Sequence, residues 1–129
     1  LRRPSIMSTI KANTLLAADG TSTTEPSIPA LDQRMAKAWC QWNMSSNVIK
    51  DSYNISSITD SAAGDQSPVY ITPFSNADYA AVANGGAVND WHGTETTVMA
   101  TYTTYCRVIH RENNVARDPT TVYLIVFGN

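Results

Sequence analysis

Two histidines are the first residues to weigh for chemistry, because imidazole exchanges a proton near neutral pH. His92 stands in Asn89-Asp90-Trp91-His92-Gly93, where an acid precedes a base. Catalysis needs a nucleophile, a base and an orienting group placed together, and this stretch offers no nucleophile at a defined spacing. It reads as a solvated loop tip. Trp91 and His92 are the candidate ligand-contact residues of that loop, since an aromatic ring outside a core can stack on a sugar or cover a partner. His110 continues an alternating run that ends in Arg111-Glu112 and reads as a rim residue. No catalytic residue is assigned, and the chain is expected not to be an enzyme.

Metal chemistry is not indicated, and no cofactor is expected. Cys40 and Cys106 lie far apart and match no zinc spacing. They read as two buried thiols, which pack as small hydrophobes, with a single disulfide as the other arrangement open to them. Asp51, Asp60 and Asp65 are near in sequence but are expected to flank turns, where Asp satisfies local backbone N–H groups. Gly85-Gly86 reads as a turn, because no strand-to-helix phosphate loop surrounds it. Asn43-Met44-Ser45 and Asn54-Ile55-Ser56 fit the glycosylation acceptor pattern, as chance triplets do in a chain rich in Ser, Thr and Asn.

Bulk properties narrow the function classes. The 129 residues suit one domain of ordinary size, and 43% hydrophobic content allows a packed core. A net charge of −2 with scattered Lys and Arg argues against coating nucleic acid. No apolar run approaches the roughly 20 residues of a membrane helix, so no membrane insertion is expected. Leu1-Arg2-Arg3-Pro4 runs straight into polar sequence, unlike a signal peptide, and Met7 would make a natural start.

The elements that must hold these residues are mostly strands. Residues 1–33 read as an extended N-terminal arm, because the stretch from Ala18 to Pro26 is rich in turn formers and poor in apolar residues. One short helix is expected over 29–37. From Ala36 onward the period is two: Ala36, Ala38, Cys40 and Trp42 share one face, and Lys37, Trp39, Gln41 and Asn43 the other. Further strands are expected at 53–59, 68–72, 79–83, 96–102, 105–111 and 121–127, separated by turns at 44–47, 63–65, 75–78, 84–86 and 112–114. The pattern predicts an all-β fold, an antiparallel, jelly-roll-like β-sandwich of seven or eight strands over 34–129. The last strand is apolar on both faces, which suits a central strand or one covered by another subunit. Trp39 falls on the face opposite Trp42, so either one of the two faces away from the core or the domain is covered on both sides, and Trp39, with Ile10 and Leu15 of the arm, is a candidate for a subunit interface.

A resemblance covers nearly the whole chain. Ala36-Lys37-Ala38-Trp39-Cys40-Gln41-Trp42 is followed by Ile49-Lys50-Asp51-Ser52-Tyr53-Asn54-Ile55-Ser56-Ser57-Ile58-Thr59-Asp60. Then come Gly64-Asp65, Ala77-Asp78-Tyr79-Ala80-Ala81-Val82, Tyr105-Cys106-Arg107-Val108-Ile109, Asp118-Pro119-Thr120 and Val126-Phe127-Gly128-Asn129. Together these resemble a tail-fibre or virion structural module common in phages of marine bacteria. Cys40 stands where that pattern has an aliphatic residue, Trp42 where it has Phe, and the turn at 44–46 lacks its glycines. The resemblance implies a non-enzymatic particle protein that acts in host attachment, built as a homotrimer. Its arm would meet other virion proteins, and its loops a host surface glycan or protein. The alternative is a decoration or cementing subunit of capsid or tail with no receptor of its own. A glycan hydrolase would need a pair of acids in a long groove, for which the chain is short.

Overall fold

The computed structural model describes residues 12, 14, 16–20, 34–86 and 93–128. The chain divides into two compact units, 1–32 and 33–129. All the strands described below lie in the second.

The described residues contain nine strands and no helix. They are β1 (Ala38–Asn43), β2 (Val48–Tyr53), β3 (Ile55–Ala62), β4 (Asp65–Tyr70), β5 (Ala80–Gly85), β6 (Thr94–Thr101), β7 (Cys106–Glu112), β8 (Val115–Ala116) and β9 (Val122–Phe127). Two antiparallel sheets form, one of four strands in the order β2-β1-β9-β5, the other of five in the order β3-β4-β7-β6 with β8 on β7. The all-β, sandwich-like architecture expected from the period-two pattern is present. The helix is not: residues 34–37 are turn, bend and irregular backbone, and Lys37 N–H already donates to the Val126 carbonyl at 2.8 Å, entering the sheet beside β9. Residues 29–33 lie outside the described set. Strand β2 went unread in the sequence because Val48, Lys50 and Asp51 are exposed and give it little apolar periodicity.

Asparagine replaces glycine at several tight points. Asn47 closes the β1–β2 turn at φ 56°, and Asn113-Asn114 form the β7–β8 turn at φ 50° and 65°. Positive φ at two successive residues is what a tight hairpin between twisted strands demands, and Asn tolerates it. Asn54, at φ 56°, carries the chain from β2 in one sheet to β3 in the other. Its side chain fixes that crossing: Oδ1 accepts from Thr72 N–H at 2.7 Å, and Nδ2 donates to the carbonyls of Lys37 and Thr72 at 3.0 and 3.1 Å. A glycan on Asn54 would replace one of the two Nδ2–H donors and so remove one of these bonds.

The core lies between the sheets. Ala38, Cys40, Trp42, Val122, Leu124 and Val126 come from the four-stranded sheet, and Tyr70, Cys106 and Val108 from the five-stranded one. Trp42 is wholly buried and donates from Nε1 to Gln66 Oε1 at 2.9 Å, while Gln66 Nε2 donates to the Met44 carbonyl at 2.9 Å. This polar link is satisfied at each end, so its burial costs little and fixes the register of one layer on the other. Tyr70, Phe74 and Tyr79 close one end of the core, with the Phe74 ring 4.8 Å from Tyr70 and 4.5 Å from Tyr79. The Tyr70 hydroxyl lies 3.0 Å from that of Tyr79.

Candidate functional site

The outer face of the four-stranded sheet is the surface where this chain departs from the usual hydrophobic-in, polar-out rule. Strand alternation puts Val122, Leu124 and Val126 of β9 inward and leaves Tyr123, Ile125 and Phe127 exposed. The same alternation on β1 buries Ala38, Cys40 and Trp42 and turns Trp39 outward, where it is half-buried. Registers then align these side chains across the sheet. Tyr53 pairs with Trp39, Trp39 with Ile125, and Ile125 with Val82, so one apolar row crosses all four strands. Val82 is 65% exposed and Tyr53 41%. Phe127, paired with Ala80, extends it on one side. The next row is Asp51, Gln41, Tyr123 and Asn84. Strand β9 is therefore central within its sheet, between β1 and β5, with Tyr123, Ile125 and Phe127 exposed on its outer face.

Of the interface residues expected from sequence, Trp39 belongs to this face, and Ile10 and Leu15 lie outside the described residues. Trp91 and His92 also lie outside them. Tyr53, Val82 and Ile125 were missed as interface residues. For Ile125 the signal was the two-sided apolar alternation of the last strand. Tyr53 and Val82 give no such signal, because only the register shows that they share a row with Trp39.

His110 is corrected by the structure. It is no rim residue but fully buried, 0% exposed, because β7 lies between β4 and β6 and His110 points into the layer. Its Nδ1 sits 2.7 Å from Thr96 Oγ1, and its Nε2 faces Glu112 Oε1 at 3.8 Å without a hydrogen bond. Burial pushes the imidazole below its ordinary range, and the nearby Glu112 and Asp118 carboxylates oppose that only in part. A hydroxyl, an imidazole and a carboxylate in sequence are the parts of a nucleophile triad. Here the imidazole–carboxylate gap is too long for the orienting bond, and a ring with no exposed surface cannot meet a substrate. The cluster packs the fold. Gly85 belongs to it: a Cβ there would stand 2.8 Å from Thr96 Oγ1 and 3.1 Å from His110 Nδ1. The expected turn at 84–86 is thus overturned for its first two residues, since Asn84 and Gly85 finish β5 and the glycine admits the histidine.

The remaining candidates are local. Cys40 and Cys106 are both free and buried, with burial raising both thiols and Cys106 pushed up to about 11. Thiols so disfavoured as thiolates are poor nucleophiles. Asp65 does not serve its own turn. Its carboxylate pairs with Arg107 through two hydrogen bonds, one from Nε at 2.8 Å, which hold it below the usual carboxylate range. Asp60 lies within β3. Asp51 lies within β2 and accepts locally from Ser52 N–H at 2.9 Å. The acid that serves the turn at Gly64 comes from far along the chain: Asp118 accepts from Gly64 N–H at 2.6 Å. Tyr102 and Tyr105 stack at 4.4 Å on the β6–β7 turn, with Tyr102 exposed. Among the described residues no three His, Cys, Asp or Glu side chains are grouped to hold a metal ion. No described helix is long and apolar enough to cross a membrane. No family model, no curated protein and no solved structure matches this chain.

Proposed function

We propose that this chain is a non-enzymatic structural module of a bacteriophage particle, a tail fibre or appendage tip that acts in host attachment and assembles as a homotrimer. The observation that carries the reading is the outer face of the four-stranded sheet, where Tyr53, Trp39, Ile125 and Val82 stand in one row. A contiguous apolar patch of this kind marks an association surface. The two-layer framework beneath it, pinned by the Trp42–Gln66 bond, suits mechanical presentation. The residue blocks from Ala36 to Asp60 and from Val126 to Asn129 supply the link to phage tail-fibre modules. Residues 1–33 would carry the connection to other particle proteins, and the loops, including Trp91 and His92, the contact with a host surface glycan or protein. Loops held by a rigid sheet are where recognition is usually built.

Two experiments test the reading. Mass spectrometry of purified phage particles encoding the chain should detect it as a stoichiometric component, and its absence would overturn the reading. Purified protein added to host cells should compete with particle adsorption. A chain present in particles that fails to compete, and that antibody labels on the capsid or along the tail, would be a decoration subunit instead.

A further inference from the structure

We infer that the β6–β7 turn, from Tyr102 to Tyr105, is a saccharide-binding tip. A neutral sugar ring stacks on Tyr102, and its hydroxyls bond to the Arg107–Asp65 pair beside the turn. The inference rests on the surface-contact part of the reading above and deepens it, assigning one place and one chemical class. Four observations carry it.

An open aromatic face is the first. The rings of Tyr102 and Tyr105 lie 4.4 Å apart with planes 21° from parallel. Tyr102 stays 44% exposed although one ring face lies on Tyr105, so its other face is the open one. The pair is not needed to seal the fold, because Tyr70, Phe74 and Tyr79 already close this end of the core beneath it. An aromatic face bare to water holds the C–H face of a sugar ring by burying apolar surface on both sides.

Rigidity is the second, since the turn is held from behind at each of its carbonyls. Those of Thr103 and Thr104 accept from the N–H groups of Phe74 and Tyr70 at 2.8 and 2.9 Å, and that of Tyr105 from Tyr102 N–H at 2.9 Å. The Tyr79 hydroxyl lies 2.9 Å from the Tyr102 carbonyl oxygen and 3.1 Å from that of Tyr105. It also accepts from Tyr102 N–H at 3.2 Å. Between the two phenols stand Thr103 and Thr104, both exposed. A platform already ordered in this way adds little ordering cost to a weak ligand.

A polar fork is the third. Tyr105 and Arg107 are two residues apart and so share the outer face of the five-stranded sheet, while Cys106 and Val108 point into the core. The Arg107 side chain is 44% exposed and is clamped by Asp65 through two hydrogen bonds, one from Nε at 2.8 Å. A fixed guanidinium–carboxylate pair sets planar donors and acceptors side by side, a pattern that neighbouring sugar hydroxyls match. Val69 bridges to Tyr105 and pairs on its other side with Ser57, whose residue is exposed on the same face.

Charge is the fourth, and it selects the neutral class. Arg107 engages its charge with Asp65, which leaves little pull on a phosphate, sulfate or carboxylate. A polyanion is held by clustered Lys and Arg instead. An aliphatic protein anchor set on this tip would cover the Thr103, Thr104 and Ser57 hydroxyls without giving them partners.

The test is a microarray of neutral oligosaccharides of glucose, galactose, mannose and their N-acetylamino sugars, printed beside sialylated, sulfated and phosphorylated chains and probed with the full chain. The native chain should bind neutral saccharides. Tyr102→Ala and Arg107→Ala should each weaken that binding about tenfold, the size of one lost stack or bonded pair. Tyr102→Phe should bind nearly as the native chain does, because stacking needs the ring and not the hydroxyl. Val115→Asp, exposed at the other end of the same sheet, should also bind as the native chain does. Titrating the native chain with the methyl glycoside and with the oligomer of the bound sugar, followed by amide NMR spectra, should shift the signals of Tyr102 to Arg107. That readout requires no variant to fold. A response to both ligands supports a site for a single ring, and a response to the oligomer alone supports a site for a glycan chain. Failure to bind any neutral saccharide, binding confined to the charged chains, or shifts centred away from the turn would overturn the inference. A particle component that binds no saccharide would sink the inference and leave the particle reading standing. A saccharide-binding chain absent from particles would do the reverse.

Discussion

Replacing Gln66 by Leu removes the side chain that joins Trp42 to the opposite sheet by hydrogen bonding, without greatly changing volume. Two groups lose their partners at once: Trp42 Nε1–H, 2.9 Å from Gln66 Oε1, and the Met44 carbonyl, 2.9 Å from Gln66 Nε2. Trp42, Met44 and Gln66 are all essentially inaccessible to water, so neither orphan regains a solvent partner. An unsatisfied buried group costs about 1–3 kcal/mol, so two cost about 2–6 kcal/mol, and the apolar gain from Leu offsets roughly 1 kcal/mol, leaving a net loss of about 1–5 kcal/mol. Urea unfolding followed by tryptophan fluorescence measures this directly, and in thermal melts the midpoint should fall by about 4–8 °C per kcal/mol lost. Trp42→Phe alone strands Gln66 Oε1 and opens a void, at a similar cost of about 2–4 kcal/mol. In the double variant the Trp N–H and its acceptor leave together. Its loss should therefore fall short of the summed single losses by about 1 kcal/mol or more. If Gln66→Leu costs under about 0.5 kcal/mol, or if the two losses simply add, the link does not hold the layers in register.

Three further outcomes follow from the same packing. His110 has its proton affinity lowered in the fold, so above the ordinary histidine range near 6.5 both states are neutral and stability is flat. As pH falls below that value the unfolded chain takes the proton first, and stability should decline until the lower folded value is passed; His110→Gln should flatten urea midpoints across that window. Asp65, also lowered, contributes its loss in a separate window, below its ordinary value of 3.8. Gly64→Ala should destabilise by about 3 kcal/mol, since φ is 66° and the new Cβ would meet the His110 carbonyl oxygen at 2.3 Å, against well under 1 kcal/mol for Ser61→Ala at an exposed site. A melt showing equal midpoints for the two would refute that reason. Both thiols should resist a disulfide reagent at pH 8 in the native chain and titrate as two in urea; fast native labelling would contradict the burial of Cys40 and Cys106.

Much of the fold was legible because sheet faces repeat every two residues. The alternation from Ala36 to Asn43 assigned Trp42 to the core and Trp39 to the outside, and both faces of β1 are so arranged. The turn at Ala63-Gly64 and the Asn113-Asn114 hairpin followed from residues that tolerate positive φ. Composition also set the class, since many Thr, Val, Ile and Tyr residues between short turns favour a layered all-β domain.

What alternation cannot give is which strands lie side by side, because pairing is a long-range choice. Only tertiary structure placed β9 between β1 and β5, and so brought Ile125 beside Trp39 and Val82. Only it showed His110 wholly buried, because a strand's rank within its sheet decides whether a polar residue meets water or a neighbour. The same holds for Gly85, whose missing side chain makes sense only against Thr96 and His110. Local residue types indicated most of the strands, several of the turns and the inward face of β1. The apolar row on its outer face was decided by register, since side chains far apart in sequence share a surface only once the hydrogen-bonded ladders fix their neighbours.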